Sequence, residues 1–217
     1  MSNQFKKKLI IRASGLAKGG TLLLTFKPLE DIGTAQQKVA WKVIPFATNT
    51  NKKAQAEYVN QYARFIGPQI DDDNLISPST FGNVNVGGAV DFTLDSDKNL
   101  LISDTDKNKR PGFVVATNST GKIQDIAIGL QPNPKKDPEA ILYFPKIGNT
   151  SQVVCKYHPI LRAYMTSDYQ ETEVISGEIQ TGMIWERDLA QLEDTTNWRL
   201  TYNGSTGQYS LNPDEDS

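Results

Sequence analysis

Histidine and cysteine are almost missing from this chain, with one of each in 217 residues. A lone cysteine cannot build an intramolecular disulfide framework. A lone histidine, His158, would have to serve any Ser-His-Asp or Cys-His mechanism. Cys155 and His158 stand three apart in a run that reads as one strand. An odd separation turns them to opposite sides of the pleat, where they cannot share a proton. Pro159 holds His158 extended as well. The same counts exclude a structural zinc site, which wants four Cys or His ligands, and a redox centre built on several histidines.

A surplus of charge is also lacking. Lys and Arg number 23 against 25 Asp and Glu, a net charge of -2. Nucleic-acid binders carry a strong basic excess, so no nucleic-acid partner is expected. Long apolar runs are absent too. The segment MSNQFKKKLIIRASG follows its basic run with only Leu9, Ile10 and Ile11, short of the roughly 7–15 apolar residues of a secretory leader. No stretch approaches the roughly 18 apolar residues of a spanning helix. The expectation is a soluble protein of the reducing cytoplasm, with no membrane partner. In that compartment the sequons at Asn118, Asn149 and Asn203 are polar loop sequence. GLAKGGT lacks the spacing and the Lys-Ser/Thr ending of a phosphate loop, and no nucleophile elbow or kinase signature occurs.

What the chain does have is alternation. In residues 152–187, Val153, Cys155 and Tyr157 alternate with Val154, Lys156 and His158. Leu161, Ala163 and Met165 then alternate with Arg162, Tyr164 and Thr166, the pattern of strands with one packed face. Residues 8–13 and 21–26 read as strands around a Gly15/Gly19/Gly20 turn. Residues 39–46 read as one strand with Val39, Trp41 and Val43 on a shared face, and 53–66 as a strand despite some helical spacing. Residues 67–79 read as a long loop. Residues 80–86 and 89–94 suggest a hairpin through Gly87-Gly88. Further strands are expected at 100–103, 112–117, 122–130 and 140–144, and a closing hairpin at 198–202 and 208–211 around NGSTG. Trp185, Leu189 and Leu192 fall at i, i+4 and i+7, so ERDLAQLED is the best helix candidate, about two turns long. About twelve short strands with almost no helix imply an all-β, single-domain antiparallel β-sandwich with at most one or two short helices. The domain covers 1–217, and 213–217 is an acidic tail expected to fray.

Two patterns could carry chemistry. Asp95, Asp97 and Asn99 are echoed nine residues later by Asp104, Asp106 and Asn108. The D-x-D-x-N spacing begins like a calcium loop, but Lys98 and Leu100 stand where the turn glycine and its flanks belong. Two ordinary turns, held by Asp and Asn bonding to nearby backbone, are the first reading. A weak Mg²⁺ or Ca²⁺ site using Asp95, Asp97, Asn99, Asp104 and Asp106 is the second. The Asp71-Asp72-Asp73-Asn74 run divides the same way. Carboxylate pairs for glycoside hydrolysis are too many to single one out. The aromatics, Tyr169, Tyr202 and Tyr209 among them, are mostly expected in the core. The candidate ligand pocket is assigned to Trp41, Tyr157, His158, Arg162, Tyr164 and Trp185, with Tyr164 on the more polar face of its strand beside Arg162 and Thr166.

VAWKVIPF and ILRAYMTSDYQETEVISGEI, together with the chain length, resemble cytosolic fruiting-body proteins of mushrooms, in particular the chromoproteins of oyster mushrooms. The resemblance spans most of the chain. It implies a β-sandwich akin to the actinoporin fold, an indolone-type chromophore and a metal-assisted homodimer. Membrane-lytic proteins of that shape use an amphipathic N-terminal helix, whereas this N-terminus carries Gly15, Gly19 and Gly20 between strand-like runs. The expected function is therefore non-enzymatic binding of a small-molecule ligand. A carbohydrate-binding lectin is the alternative, and an actinoporin-like membrane-binding protein stands behind it.

Overall fold

The computed structural model describes residues 6–28, 35–59, 63–105, 110–156 and 159–215. The chain begins with β1 (Lys6–Ser14), β2 (Gly20–Phe26), β3 (Gln37–Val39), β4 (Lys42–Phe46), β5 (Asn51–Val59) and β6 (Ala63–Ile70). Next come β7 (Ile76–Val84), β8 (Ala89–Leu94), β9 (Leu100–Thr105), β10 (Phe113–Asn118), β11 (Gln124–Leu130) and β12 (Glu139–Ile147). It closes with β13 (Gln152–Lys156), β14 (Ile160–Met165), β15 (Val174–Ile175), β16 (Met183–Asp188), β17 (Thr195–Asn203) and β18 (Gln208–Pro213). The fold is all-β and of sandwich type, as expected.

Four sheets result. Sheet I has the order β18-β17-β1-β5, and sheet II β16-β14-β2-β4. Sheet III runs β13-β10-β8-β9, and sheet IV β15-β3-β12-β11-β6-β7. Two of the described pairings are parallel, β1 with β17 and β8 with β10, and the others are antiparallel. One apolar cluster draws on every sheet: Leu9 and Ile11 from β1, Leu22 and Leu24 from β2, Phe92 from β8, Phe65 from β6, Phe144 from β12. Each such fully buried phenyl or isobutyl group contributes roughly 1.5–3 kcal/mol relative to exposure.

Sheet IV packs on both faces. Phe65, Ile126, Ile128 and Leu142 face the main core, while Val39, Ile66, Ile76, Ala127, Tyr143 and Val174 form a second cluster. Its two edge strands meet at a bridge between Leu75 and Glu173. The Val174 amide donates to the Asn74 carbonyl at 2.9 Å, and the Ile76 amide to that of Thr172 at 3.0 Å. At that end the sheet closes on itself, which removes the exposed edges.

Several expectations need correction. Residues 39–46 are not one strand, because the chain leaves sheet IV at Val39 and enters sheet II at Lys42. That corner shifts the alternation, so Ile44 and Phe46 are buried in place of Val43. The strands read at 8–13 and 21–26 both form, but in different sheets, β1 between β5 and β17 and β2 between β14 and β4. The Gly87-Gly88 hairpin does not form either. Gly87 donates to the Phe113 carbonyl and Gly88 accepts from Val115, so the glycines tie β8 to β10 while β7 pairs with β6. The long loop at 67–79 shrinks to Asp71–Leu75 between β6 and β7. The helix over ERDLAQLED is a single 3-10 turn, Leu189–Gln191. Asp188 pairs with Ile160 as the last rung of β16, and the Leu189 amide donates to Pro159, so the ladder takes the residues that would begin the helix. The tail is anchored as far as Asp214, which is buried. The closing hairpin forms as expected, with Asn203 opposite Gln208.

Candidate ligand-binding cleft

Sheets I and II come together along β16 and β18 without a ladder between them. A cleft of ≈ 570 Å³ opens there, of the size that holds a small organic molecule. Met165 reaches it from the end of β14, and Met183 and Ile184 from the start of β16. Thr181 and Gly182 come from the segment that leads into β16, Gln208 and Tyr209 from β18, and Lys18 from the β1–β2 turn.

Local sequence explains the arrangement. NGSTG turns the β17–β18 hairpin with Gly207 at φ 72°, a left-handed conformation that glycine adopts freely. The Ser205 and Thr206 amides both donate to the Asn203 side chain. Tyr209 then lies against Tyr202, ring centres 4.8 Å apart. Its hydroxyl donates to the Gly19 carbonyl at 2.8 Å, pinning the β1–β2 turn to β18. A side chain at Gly20 would meet the Met165 methyl at 2.8 Å, so the missing Cβ lets that methionine approach. Burial, with the Tyr202 ring beside it, raises the Tyr209 phenol above its ordinary value of 10.0.

Thr181 is the unusual member of the set. Its hydroxyl is buried and has no hydrogen-bond partner among the described residues. Buried hydroxyls almost always find one, and leaving one unmade costs about 1–3 kcal/mol. Met183 beside it is 48% exposed, which puts a soft, adaptable side chain at the rim.

The residues assigned from sequence lie elsewhere. Trp41 is in the main core against Phe26, and its indole nitrogen donates to Glu139 at 2.7 Å. Lys42 pairs with the same carboxylate at 2.9 Å. Trp185 is in the same core, set edge-on to Trp198 at 5.0 Å. Tyr164 is not on a wet face but buried with Leu23, Ala40 and Ile175, beneath the chain that links β14 to β16. Arg162 donates to Glu186 across the β14–β16 pair. Partial burial, and then Arg162 nearby, lowers the Lys38 ammonium below its ordinary range. Tyr157 and His158 fall outside the described residues. Arg162, Tyr164 and Trp185 thus sit on the two strands that floor the cleft, but neighbouring residues line it.

The acidic turns are engaged with their own backbone. The Asp95 carboxylate accepts from the Asp97 and Asn99 amides at 2.9 and 2.8 Å and from the Asn99 side chain at 3.0 Å. The Asn99 side-chain bond is the main reason its carboxyl lies below the ordinary 3.8. Lys98 takes the left-handed position, φ 66°, where a glycine is the usual residue. Asp71 makes the same turn, accepting from Asp73 and Leu75 with Asn74 at φ 61°. Both are β-hairpin turns. No three His, Cys, Asp or Glu side chains converge as metal ligands among the described residues. The side chain of Asp104, and Asp106 altogether, fall outside them.

No family model matches the chain, and neither a curated protein nor a solved structure does. No helix among the described residues is long and apolar enough to cross a membrane.

Proposed function

We propose that this protein is a non-enzymatic binder of a small, flat, partly apolar molecule, held in the cleft between β16 and β18 and working in the cytoplasm. The observation that carries the reading is the unpartnered Thr181 hydroxyl at the wall of a cleft lined by Met165, Met183, Ile184 and Tyr209. One directional hydrogen bond among soft apolar side chains is what fixes the orientation of an aromatic ligand. Catalysis is poorly served by the same lining. Its titratable groups are Lys18 and Tyr209, and the Tyr209 hydroxyl is engaged with the backbone. A pigment of the indolone type is the first ligand to test.

The experiment is an absorption spectrum of the purified native protein, followed by denaturation, extraction and mass analysis. A visible band that is lost on unfolding, and weakened in Thr181→Val, supports the reading. A colourless protein that yields no extract and shows no fluorescence response to indole derivatives rejects it. A sugar is the second reading, favoured by the half-buried Tyr209 ring beside Gln208 and the Thr181 hydroxyl. Binding on a glycan array would select it, and dye release from sphingomyelin vesicles would point to a membrane ligand.

A further inference from the structure

Sheet I ends at β5, and that edge is left open. Its residues pair with β1 in one unbroken register, from Lys6 with Val59 to Ser14 with Asn51, with no bulge and no proline. No strand among the described residues pairs with the far side of β5. Over residues 53–57 the backbone makes no hydrogen bond outside the β1 ladder among them. Unpaired N–H and C=O groups on an edge template a further strand, so proteins usually blunt them. Elsewhere in this chain the blunting is visible. Sheet IV closes on itself, β7 carries Pro78, and β4 carries Pro45 while its Val43 amide donates to the Glu171 carboxylate.

On β5 charge is the only block. The strand turns Ala56 and Tyr58 into the core and presents Lys53, Gln55 and Glu57 on the outer face of sheet I. Like charges facing each other across two strands destabilise their pairing, and opposite charges stabilise it. Antiparallel pairing of β5 with a second β5, centred on Gln55, meets that condition. Gln55 then faces the partner's Gln55, and Lys53 faces the partner's Glu57 on both sides of the two-fold axis. A slip of two residues either way sets Gln55 opposite Glu57 or Lys53 and makes no charge pair. Parallel pairing in register sets Lys53 against Lys53. The side chains of β5 are also ready for the first arrangement. Lys53 is exposed, faces Arg12 within its own sheet, and has no acidic partner among the described residues. Glu57 holds Lys6 through Oε2 at 2.7 Å, which leaves Oε1 to accept from a second lysine.

We infer that the open edge of β5 is a dimer interface, at which two copies of this chain pair antiparallel about Gln55. Four strands from each copy then form one continuous sheet. Main-chain hydrogen bonds supply the affinity, and the two Lys53–Glu57 pairs fix the register. β18 lies at the opposite edge of sheet I, so the two ligand clefts stand at the far ends of the joined sheet and stay open.

The test is sedimentation velocity of the full chain from about 1 to 200 μM, in EDTA so that no metal bridges the copies. A monomer–dimer equilibrium is expected in that range. Lys53→Glu sets like charges opposite each other twice and should weaken the dimer at least about tenfold, with far-ultraviolet circular dichroism unchanged. Adding Glu57→Lys to that variant restores opposite charges and should recover the dimer. Gln55→Cys should form an intermolecular disulfide on mild oxidation, because facing Cα atoms in a strand pair stand about 4.5–5.5 Å apart. Ser77→Cys, exposed on the β7 edge, should not. A chain that stays monomeric throughout, a dimer that Lys53→Glu leaves as tight as before, or a Ser77→Cys disulfide that forms as fast as that of Gln55→Cys overturns the inference.

Discussion

Two places in this molecule face the same difficulty, a sheet edge that must meet another, and they resolve it in opposite ways. At the Leu75–Glu173 bridge, sheet IV closes through backbone hydrogen bonds, with Ile76, Val39 and Val174 packed behind them. At the β16–β18 corner no ladder forms, and side chains alone span the gap. Backbone pairing admits no guest. Side chains without a ladder leave room for one, and the price is an unmade hydrogen bond at Thr181. The closed end should therefore be hard to change, and the open corner tolerant of change in stability but sensitive in binding.

Substitutions can break that contrast. Ile76→Ala removes packing behind the closure and should cost about 2–4 kcal/mol in urea unfolding. A value below 1 kcal/mol would mean the closure carries no load. Gly129→Ala comes next. Its new Cβ would lie 2.6 Å from the Glu139 carbonyl oxygen and 2.7 Å from Ile66 Cδ1, so backbone must shift at a cost of about 1–3 kcal/mol. At the open corner, Thr181→Val should leave the ligand-free protein as stable as before, or up to about 1 kcal/mol more stable, because it removes an unsatisfied hydroxyl. The same change should weaken ligand binding roughly tenfold, as measured by titration. Met183→Ser should move stability by less than about 0.5 kcal/mol.

Acid sharpens the comparison from another side. Asp214 ties the end of β18 to β1 and β17, and the Arg12 hydrogen bond is the first cause holding its carboxyl below the ordinary 3.8. A carboxyl depressed in the folded state stabilises above its unfolded value and loses that contribution as pH falls through the folded one. The stability gap between the wild type and Asp214→Asn should hence be constant from pH 5 to 8 and narrow below about pH 3.8. Denaturant curves at a series of pH values would show it, and a gap that widens in acid would contradict it.

Much of the framework could be read from alternation. Val153, Cys155, Leu161 and Ala163 are buried as the two-residue period requires, and NGSTG makes the hairpin it resembles. The turn reading of the Asp95 stretch is seen in the bonds its carboxylate accepts. What misled was pairing. A period-two pattern shows that a residue is in a strand but not which neighbour it will have, so Gly87-Gly88 looked like a hairpin when it was a crossing between sheets. The helix-like i, i+4, i+7 spacing of Trp185, Leu189 and Leu192 reflected a strand passing into one tight turn. The cleft was hidden for the same reason. Lys18, Met165, the run from Thr181 to Ile184, and Tyr209 come from four separate segments, and only the meeting of sheets I and II brings them together. Trp41 and Trp185, assigned to the pocket from sequence, are instead buried in the core, where most of the aromatics were expected.

The parallel partnership of β1 with β17 joins strands that begin at Lys6 and Thr195. During synthesis β1 can find β5 early but must keep its other flank vacant until the segment from Thr195 to Asn203 has left the ribosome. Sheet I is consequently the late event in the life of the nascent chain, and the period before it closes is when a chaperone would have the most to shield.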